Sequence, residues 1–173
     1  MGYRRSRWKI PRETISWSGV VVAVQPRIRL TRSYDQRIHT YQGYVLRLQG
    51  RIGEQERDFT IGVGKGAHKK HQFQIGDQVS GVGHSVLDEE LEIAELYKVS
   101  KLEVSRGPGG GDSPKPPPWL GVPPELEVYR SRGHRRLAAQ TYELKCTTCI
   151  WGCLMPVEMI IDQWNPRKRR YRT

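Results

Sequence analysis

The stretch SWSGVVVAVQPRIRL, residues 16 to 30, decides what kind of fold this chain adopts. Its centre, VVVAV (20 to 24), is apolar at every position, and four of these five residues are β-branched valines. β-Branched side chains favour strands, and an unbroken apolar run is typical of a strand that is covered on both faces. The stretch therefore predicts a long first strand whose two sides are both buried.

Four further segments show the strand pattern after it. They are HTYQGYVLRLQ (39 to 49), RDFTIGVG (57 to 64), GDQVSGVGHSV (76 to 86) and LEIAELYKVSKLEV (91 to 104), the last of which ends as a strand. A polar turn joins the second strand to the third, and the longer segment KGAHKKHQFQ follows the third. Five strands with internal glycines in so short a span predict a small closed barrel.

This pattern resembles the OB-fold of nucleic-acid-binding proteins over residues 14 to 105, with an SH3-like barrel as the structural alternative. The segment IGDQVSGVGHSV resembles the fourth strand of such domains, and EIAELYKVSKLEV resembles the fifth. The resemblance implies a binding surface on strands two and three, flanked by the loop between strands one and two and the loop between strands four and five.

The predicted fold class is all-β: an OB-like barrel followed by a small, β-rich metal-knuckle unit. The boundary is SRGPGGGDSPKPPP, which is flexible at its glycines and stiff at its prolines. The predicted organisation is a basic N-terminal arm (1–13), the barrel (14–104), a Gly/Pro linker (105–118), a zinc-ribbon-like unit (119–164) and a basic C-terminal tail (165–173).

The net charge of +11 favours a polyanionic partner such as nucleic acid. Each end of the chain contributes five basic residues and no acid, and arginine dominates both ends. Guanidinium groups match phosphate geometry. No segment is long and apolar enough to predict a membrane span, and no export signal precedes the first strand, so we expect a cytoplasmic protein without a membrane partner.

Arginine and lysine side chains interleaved with aromatic rings are the groups that bind single-stranded nucleic acid, since rings stack on bases and cations follow phosphates. The candidate residues lie in the first loop, on strand two, in the basic segment after strand three and in the C-terminal tail. They are Arg27, Arg29, Arg32, Tyr34, Arg37, Tyr41, Arg47, Lys65, Lys69, Lys70, Arg167, Lys168, Arg169 and Arg170. Tyr41 and Arg47 are expected on the outward face of strand two.

The acidic segment LDEELEIAEL (87 to 96) is an exception to the basic character of the chain. Carboxylates at a nucleic-acid-binding loop would repel phosphate. The segment therefore faces away from the nucleic acid, binds a protein partner or only balances charge.

All three cysteines lie in KCTTCIWGC, residues 145 to 153. Cys146 and Cys149 have the Cys-x2-Cys spacing of a zinc knuckle, and a strand is expected on each side of it. This arrangement resembles half of a zinc ribbon. Its completion is open: Cys153 with His134 would give a Cys3His zinc site, three thiolates could hold an iron–sulfur cluster, a second knuckle could lie beyond residue 173, or the thiols could be reduced core residues.

The leading hypothesis is a non-enzymatic protein that holds RNA or single-stranded DNA, and a ribonucleoprotein particle is a setting that it would suit. An iron–sulfur or redox protein built on the cysteines and a protein-interaction adaptor built on the acidic segment are the alternatives. No nucleophile motif or phosphate loop indicates an enzyme, and nothing points to a small-molecule substrate.

Overall fold

A computed structural model describes residues 13–107 and 117–173 of the chain. The predicted N-terminal arm, apart from Glu13, and positions 108–116 of the predicted linker lie outside these ranges.

The chain is mostly β, as predicted, and the five expected strands are present. They are β1 (Thr14–Arg32), β2 (Arg37–Ile52), β3 (Gln55–Val63), β4 (Gln78–Ser85) and β5 (Leu96–Ser105). The helix α1 (Lys65–His71) lies between β3 and β4, and a 3-10 turn (Glu89–Leu91) precedes β5. After residue 117 come α2 (Leu126–Arg132), α3 (Ala139–Lys145), β6 (Val157–Ile160) and β7 (Arg169–Arg172).

The first five strands close into a ring because β1 pairs with two neighbours. It runs antiparallel to β2 from Trp17 to Arg32 and antiparallel to β4 from Thr14 to Val20. The order around the ring is β1–β2–β3–β5–β4, in which β3 and β5 meet in parallel at Ile61 and Leu96. In the apolar run from 20 to 24, Val21, Ala23 and Val24 are fully buried, whereas Val20 is 38% exposed and Val22 is half-buried, so the expected burial of both sides is only partly present.

The core lies inside this ring. Val21, Val24, Leu46, Leu48 and Ile61 are fully buried there. At α1 the ring of His68 packs on Tyr44 at 4.1 Å between ring centroids. The core cluster also includes Leu126 and Tyr129 of α2, so the segment after the linker contributes to the same core.

The C-terminal segment also extends the sheet. β6 lies parallel to the end of β1, pairing Leu30 with Val157 and Arg32 with Met159. β7 then runs antiparallel to β6. The strands β2, β1, β6 and β7 therefore form a four-strand extension at the end of the β1–β2 hairpin.

Two local predictions in this segment were wrong. The strand expected before the cysteines is α3, and its sequence AQTYELK is rich in residues of good helix propensity, which outweighs the apparent alternation of Tyr142 and Leu144. The tail 165–173, expected to be a basic arm, contains β7, because β6 offers it an unpaired edge. The strand expected after the cysteines is present as β6.

Candidate nucleic-acid interface

The register of the four-strand extension separates its arginines into two faces. Directly opposite residues share a face, so Arg37, Arg32, Met159 and Arg170 form one cross-strand row. The next row toward the ring is His39, Leu30, Val157 and Arg172. None of these eight positions carries an acid, and neighbouring strands are about 4.8 Å apart, so the cations are closely spaced.

We call the four cations on this side, Arg32, Arg37, Arg170 and Arg172, the arginine face. All four are exposed. Within residues 13–107 and 117–173, none of them forms an ion pair with a carboxylate. Their guanidinium groups are therefore available to an external anion.

Two stacked histidines border the arginine face. The rings of His39 and His134 are 4.0 Å apart between centroids, and His134 Nε2 forms a 2.8 Å hydrogen bond with the Tyr41 hydroxyl. Burial and the neighbouring Arg37 lower the pKa of His39, and burial together with His39 lowers the pKa of His134. Both imidazoles are therefore neutral at pH 7, and they present flat rings beside the cations.

The other side of the same strands, which we call the paired face, uses its arginines internally. Arg27 Nε donates to both carboxylate oxygens of Glu92, at 2.9 and 3.0 Å. Arg29 donates to Glu158 at 3.0 Å, and Arg169 pairs with the second oxygen of the same carboxylate. Glu158 is only 2% exposed, so these cations neutralise a buried charge and are not available to phosphate.

The acidic segment 87–96 lies along this paired face. It supplies Glu92 to Arg27, and its 3-10 turn approaches β7. Glu95 pairs with Arg57 of β3. Gly62 makes room for the first pair, since the Arg27 guanidinium lies 3.1 Å from where a Cβ would stand. Two carboxylates of the segment therefore pair with arginines of the same chain. A protein partner for the segment stays a prediction.

Tyr41 does not lie on the outward face where it was expected. Its ring is 7% exposed and belongs to the core cluster, and Arg130 lies over it at 4.6 Å from the centroid. The cause is an irregularity in the register: Ile28 pairs with Tyr41 but Arg27 pairs with Gly43, so β2 holds one extra residue there. Gly43 has φ +131°, a conformation that favours glycine. The bulge turns Tyr41 to the same side as Tyr44.

The remaining candidates are distributed over the surface. Tyr34 is exposed at the tip of the β1–β2 hairpin. Arg47 faces outward and lies 3.5 Å from Asp58. Lys65, Lys69 and Lys70 are exposed on α1, away from the four-strand extension. Arg167 and Lys168 are exposed in the β6–β7 loop.

Arg172 and Trp164 were not among the predicted site residues. Arg172 lies in the same basic run as Arg170. Strand alternation in that run would have placed both side chains on one face. Trp164 is 88% exposed in the β6–β7 loop. A hairpin reading of MIIDQWNPRKRRYR, with its turn-forming Asn-Pro pair, would have placed Trp164 at the tip.

The cysteine turn is held against the outer side of the ring by Gln25. The Gln25 amide donates to the carbonyl oxygens of Cys146 at 2.7 Å and Cys149 at 3.2 Å, and its own oxygen accepts from the Tyr142 hydroxyl at 3.0 Å. Gln25 is 8% exposed, so this contact is buried. The turn therefore covers part of the outer surface of β1 that adjoins strand two.

Two of the four predicted metal ligands, His134 and Cys153, contact other groups. His134 bonds to Tyr41 and stacks on His39. Cys153 packs against the core cluster, and burial raises the pKa of its thiol to about 11, so it is protonated at pH 7. Among the residues that the structure describes, no three His, Cys, Asp or Glu side chains form a group that could hold a metal ion. A zinc or iron–sulfur site at these residues stays a prediction.

Comparison with protein-family models, curated proteins and solved structures gave no match for this chain. In the described ranges, helices are too short or too polar to cross a membrane.

Proposed function

We propose that this chain is a non-enzymatic nucleic-acid-binding protein that holds RNA or single-stranded DNA by phosphate contacts at the arginine face. The observation that carries the proposal is the partition of arginines by strand alternation. One face carries four guanidinium groups, on β1, β2 and β7, that form no ion pair with the residues that the structure describes, while the other uses its arginines on buried carboxylates. Guanidinium groups that form no ion pair with the described residues, on a chain of net charge +11, are suited to bind a polyphosphate.

The scaffold supports the same proposal. A closed ring of five strands in the order β1–β2–β3–β5–β4, with a helix between β3 and β4, is the arrangement of an OB-like barrel, which we propose as its fold. The interface, however, lies on the four-strand extension, which includes the first residues of β2, and not on the central parts of strands two and three. The Cys146 turn covers the outer surface beside strand two, and this shifts the proposed contact to the sheet extension.

Exposed cations near the arginine face extend the proposed phosphate track. Arg135 and Arg136 directly follow His134, whose ring stacks on His39. Arg167 and Lys168 directly precede β7. Such a surface suits a component of a ribonucleoprotein particle, where arginines neutralise closely packed phosphates.

The proposal is tested by the salt dependence of binding. Binding of a labelled single-stranded oligonucleotide is measured by fluorescence anisotropy at several salt concentrations for the native chain, for R32Q/R170Q and for R51Q/K101Q. The control pair removes the same charge from a shallow pocket beside Trp17, toward the other end of β1. Arg32 and Arg170 lie in one row, separated by Met159.

We expect R32Q/R170Q to weaken binding at least tenfold and to reduce the slope of log K against log salt by about 1.4, since each lost phosphate contact removes about 0.7 on a single strand. The control pair should change binding less than threefold. Equal losses of affinity in both variants would show that binding depends on the net charge of the chain and not on the arginine face. Undetectable or salt-independent binding by the native chain would refute the proposal.

A further inference from the structure

We propose that Trp164, at the tip of the β6–β7 hairpin, stacks with Tyr34 on unpaired bases and so makes the arginine face selective for single strands over duplexes. This inference rests on the proposed function and specifies its substrate class. It assigns a binding role to a hairpin outside the five-strand ring.

The topology brings the two aromatic residues to one end of the sheet. β1 and β6 are adjacent and parallel, so both strands leave the sheet in the same direction. Tyr34 follows Arg32 by two positions in the turn after β1, and Trp164 lies in the turn after β6. Both tips therefore adjoin the row that contains Arg32, Arg37 and Arg170.

The fold does not use either ring for packing. Tyr34 is 94% exposed and Trp164 is 88% exposed. Two other tryptophans differ: Trp17 is buried in the core, and Trp151 packs edge-on against Tyr129 at 5.1 Å between centroids. An indole that contributes almost no buried area to folding, beside unpaired cations, has the properties of a contact residue.

Both tips are held in fixed shapes by local hydrogen bonds. The Asp162 carboxylate accepts from the backbone N–H of Trp164 at 3.0 Å and of Asn165 at 3.2 Å. The Asn165 side chain then accepts from the Arg167 N–H at 3.3 Å. The first hairpin is closed by the Ser33 N–H bond to the Gln36 carbonyl at 2.9 Å. The rings are presented on ordered turns, which lowers the entropic cost of stacking.

The chemistry of stacking determines the substrate class. A base stacked on an aromatic side chain contributes about 1–3 kcal/mol, and every base has a π-face, so the contact does not depend on sequence. The bases of a duplex are already stacked on each other and are not accessible to a ring at a hairpin tip. Guanidinium–phosphate contacts alone would bind both forms, whereas the two rings add affinity only for unpaired nucleotides.

The experiment compares a single-stranded oligonucleotide with a duplex of the same sequence and length. Binding of both is measured for the native chain and for Trp164→Leu, Trp164→Tyr and Tyr34→Leu. Leucine keeps an apolar side chain but removes the π-face, and tyrosine keeps a stacking ring. Because the replaced side chains are exposed, thermal denaturation should show unchanged stability, and this serves as the folding control.

We expect Trp164→Leu to lower single-strand affinity by about 5- to 50-fold, to leave duplex affinity and the salt slope unchanged, and to be rescued by Trp164→Tyr. Tyr34→Leu should give a smaller loss of the same kind. Equal affinity of the native chain for both probes, or a Trp164→Leu loss that is the same for both, would overturn this inference while leaving the proposed function intact. Absence of binding to either probe would instead overturn the proposed function.

Discussion

The arginine face and the paired face lie on opposite sides of the same four strands, and both are rich in arginine. On the paired face Arg27, Arg29 and Arg169 are bound to carboxylates that are at most 10% exposed. On the arginine face no carboxylate shares the rows. This difference between the two faces shows that the number of arginines in a segment does not identify an interface. What matters is where the acids fall in the strand alternation.

The largest effect on stability is expected at Gly43, which lies at the bulge that determines the face on which each β2 side chain lies. Gly43→Ala would place a Cβ on the carbonyl oxygen of Val63, at a φ of +131° that alanine rarely adopts. Steric strain of this kind should lower the free energy of unfolding by about 3 kcal/mol. The measurement is urea denaturation.

Gly64→Ala is the matched control, because nothing lies within 4 Å of a Cβ there. It should change stability by less than about 0.5 kcal/mol. Equal stability of the two variants would show that the bulge does not fix Tyr41 on the inner side.

A second prediction separates stability from binding. Glu158→Gln removes a buried charge from between Arg29 and Arg169, which are 30% and 39% exposed. Removing one partner of a fully buried pair costs about 3–5 kcal/mol, and the exposure of the arginines reduces this to about 2 kcal/mol here. For a chain of 173 residues the melting temperature should fall by about 6 °C.

Arg32→Gln, on the opposite face, should leave the melting temperature within about 2 °C of the native value. If Arg32→Gln destabilised the chain as much as Glu158→Gln, the arginine face would have a structural role that its lack of acidic partners does not indicate. The two faces would then not be distinct.

A third prediction concerns Gln25, which lies on the outer side of β1 in line with Arg27. Gln25→Ala leaves two carbonyl groups of the cysteine turn and the Tyr142 hydroxyl without their partner. We expect a loss of about 1.5 kcal/mol. Alkylation of Cys146 and Cys149 should become faster, as mass spectrometry would show, while Cys153, whose thiol pKa is raised to about 11, should still react slowly.

Zinc binding would give the opposite pattern. If zinc held the turn, a chelator would destabilise the native chain more than Gln25→Ala does, and all coordinating thiols would be protected from alkylation until the metal was removed. Elemental analysis of the purified protein would identify the metal directly.

The smallest effect is expected from the stacked histidines. Because the pKa values of His39 and His134 are lowered in the folded state, the unfolded chain binds more protons just below pH 6.5. Their contribution to stability is therefore complete above pH 6.5 and is lost as the pH falls toward the lowered pKa values. The test is chemical denaturation between pH 7.5 and 5.

His39→Gln should remove part of this pH dependence, since one titrating ring is lost and its neighbour no longer faces a second imidazole. An unchanged pH profile in that variant would contradict the assignment. NMR titration of the imidazole protons should place both pKa values below 6.5.

Local alternation was enough to predict the five strands of the ring. The centre at 20 to 24 is apolar on both faces, and Phe59, Ile61 and Val63 alternate along β3. The seven residues of α3 were too few for periodicity to distinguish a helix from a strand. Tyr41 was misplaced because a bulge reverses the alternation within a strand, and nothing in the neighbouring side chains announces it.

The structure groups some of the predicted binding residues and separates others. Arg32, Arg37 and Arg170 were named among the phosphate-binding candidates, and the structure places them in one row. Arg27, Arg29 and Arg169 were named with them, and the structure pairs them with Glu92 and Glu158. Those acids are 65, 129 and 11 residues distant along the chain, so no local pattern could show the pairing.

By itself, the sequence determined a basic, mostly β chain with five strands, because charge and period-two alternation are properties of neighbouring residues. Only the tertiary structure decided which arginines stay available, because ion pairing depends on distances between residues far apart in the chain. It also decided that the C-terminal segment joins the sheet, since the edge of β1 that receives β6 becomes available only once the β1–β2 hairpin extends beyond the ring.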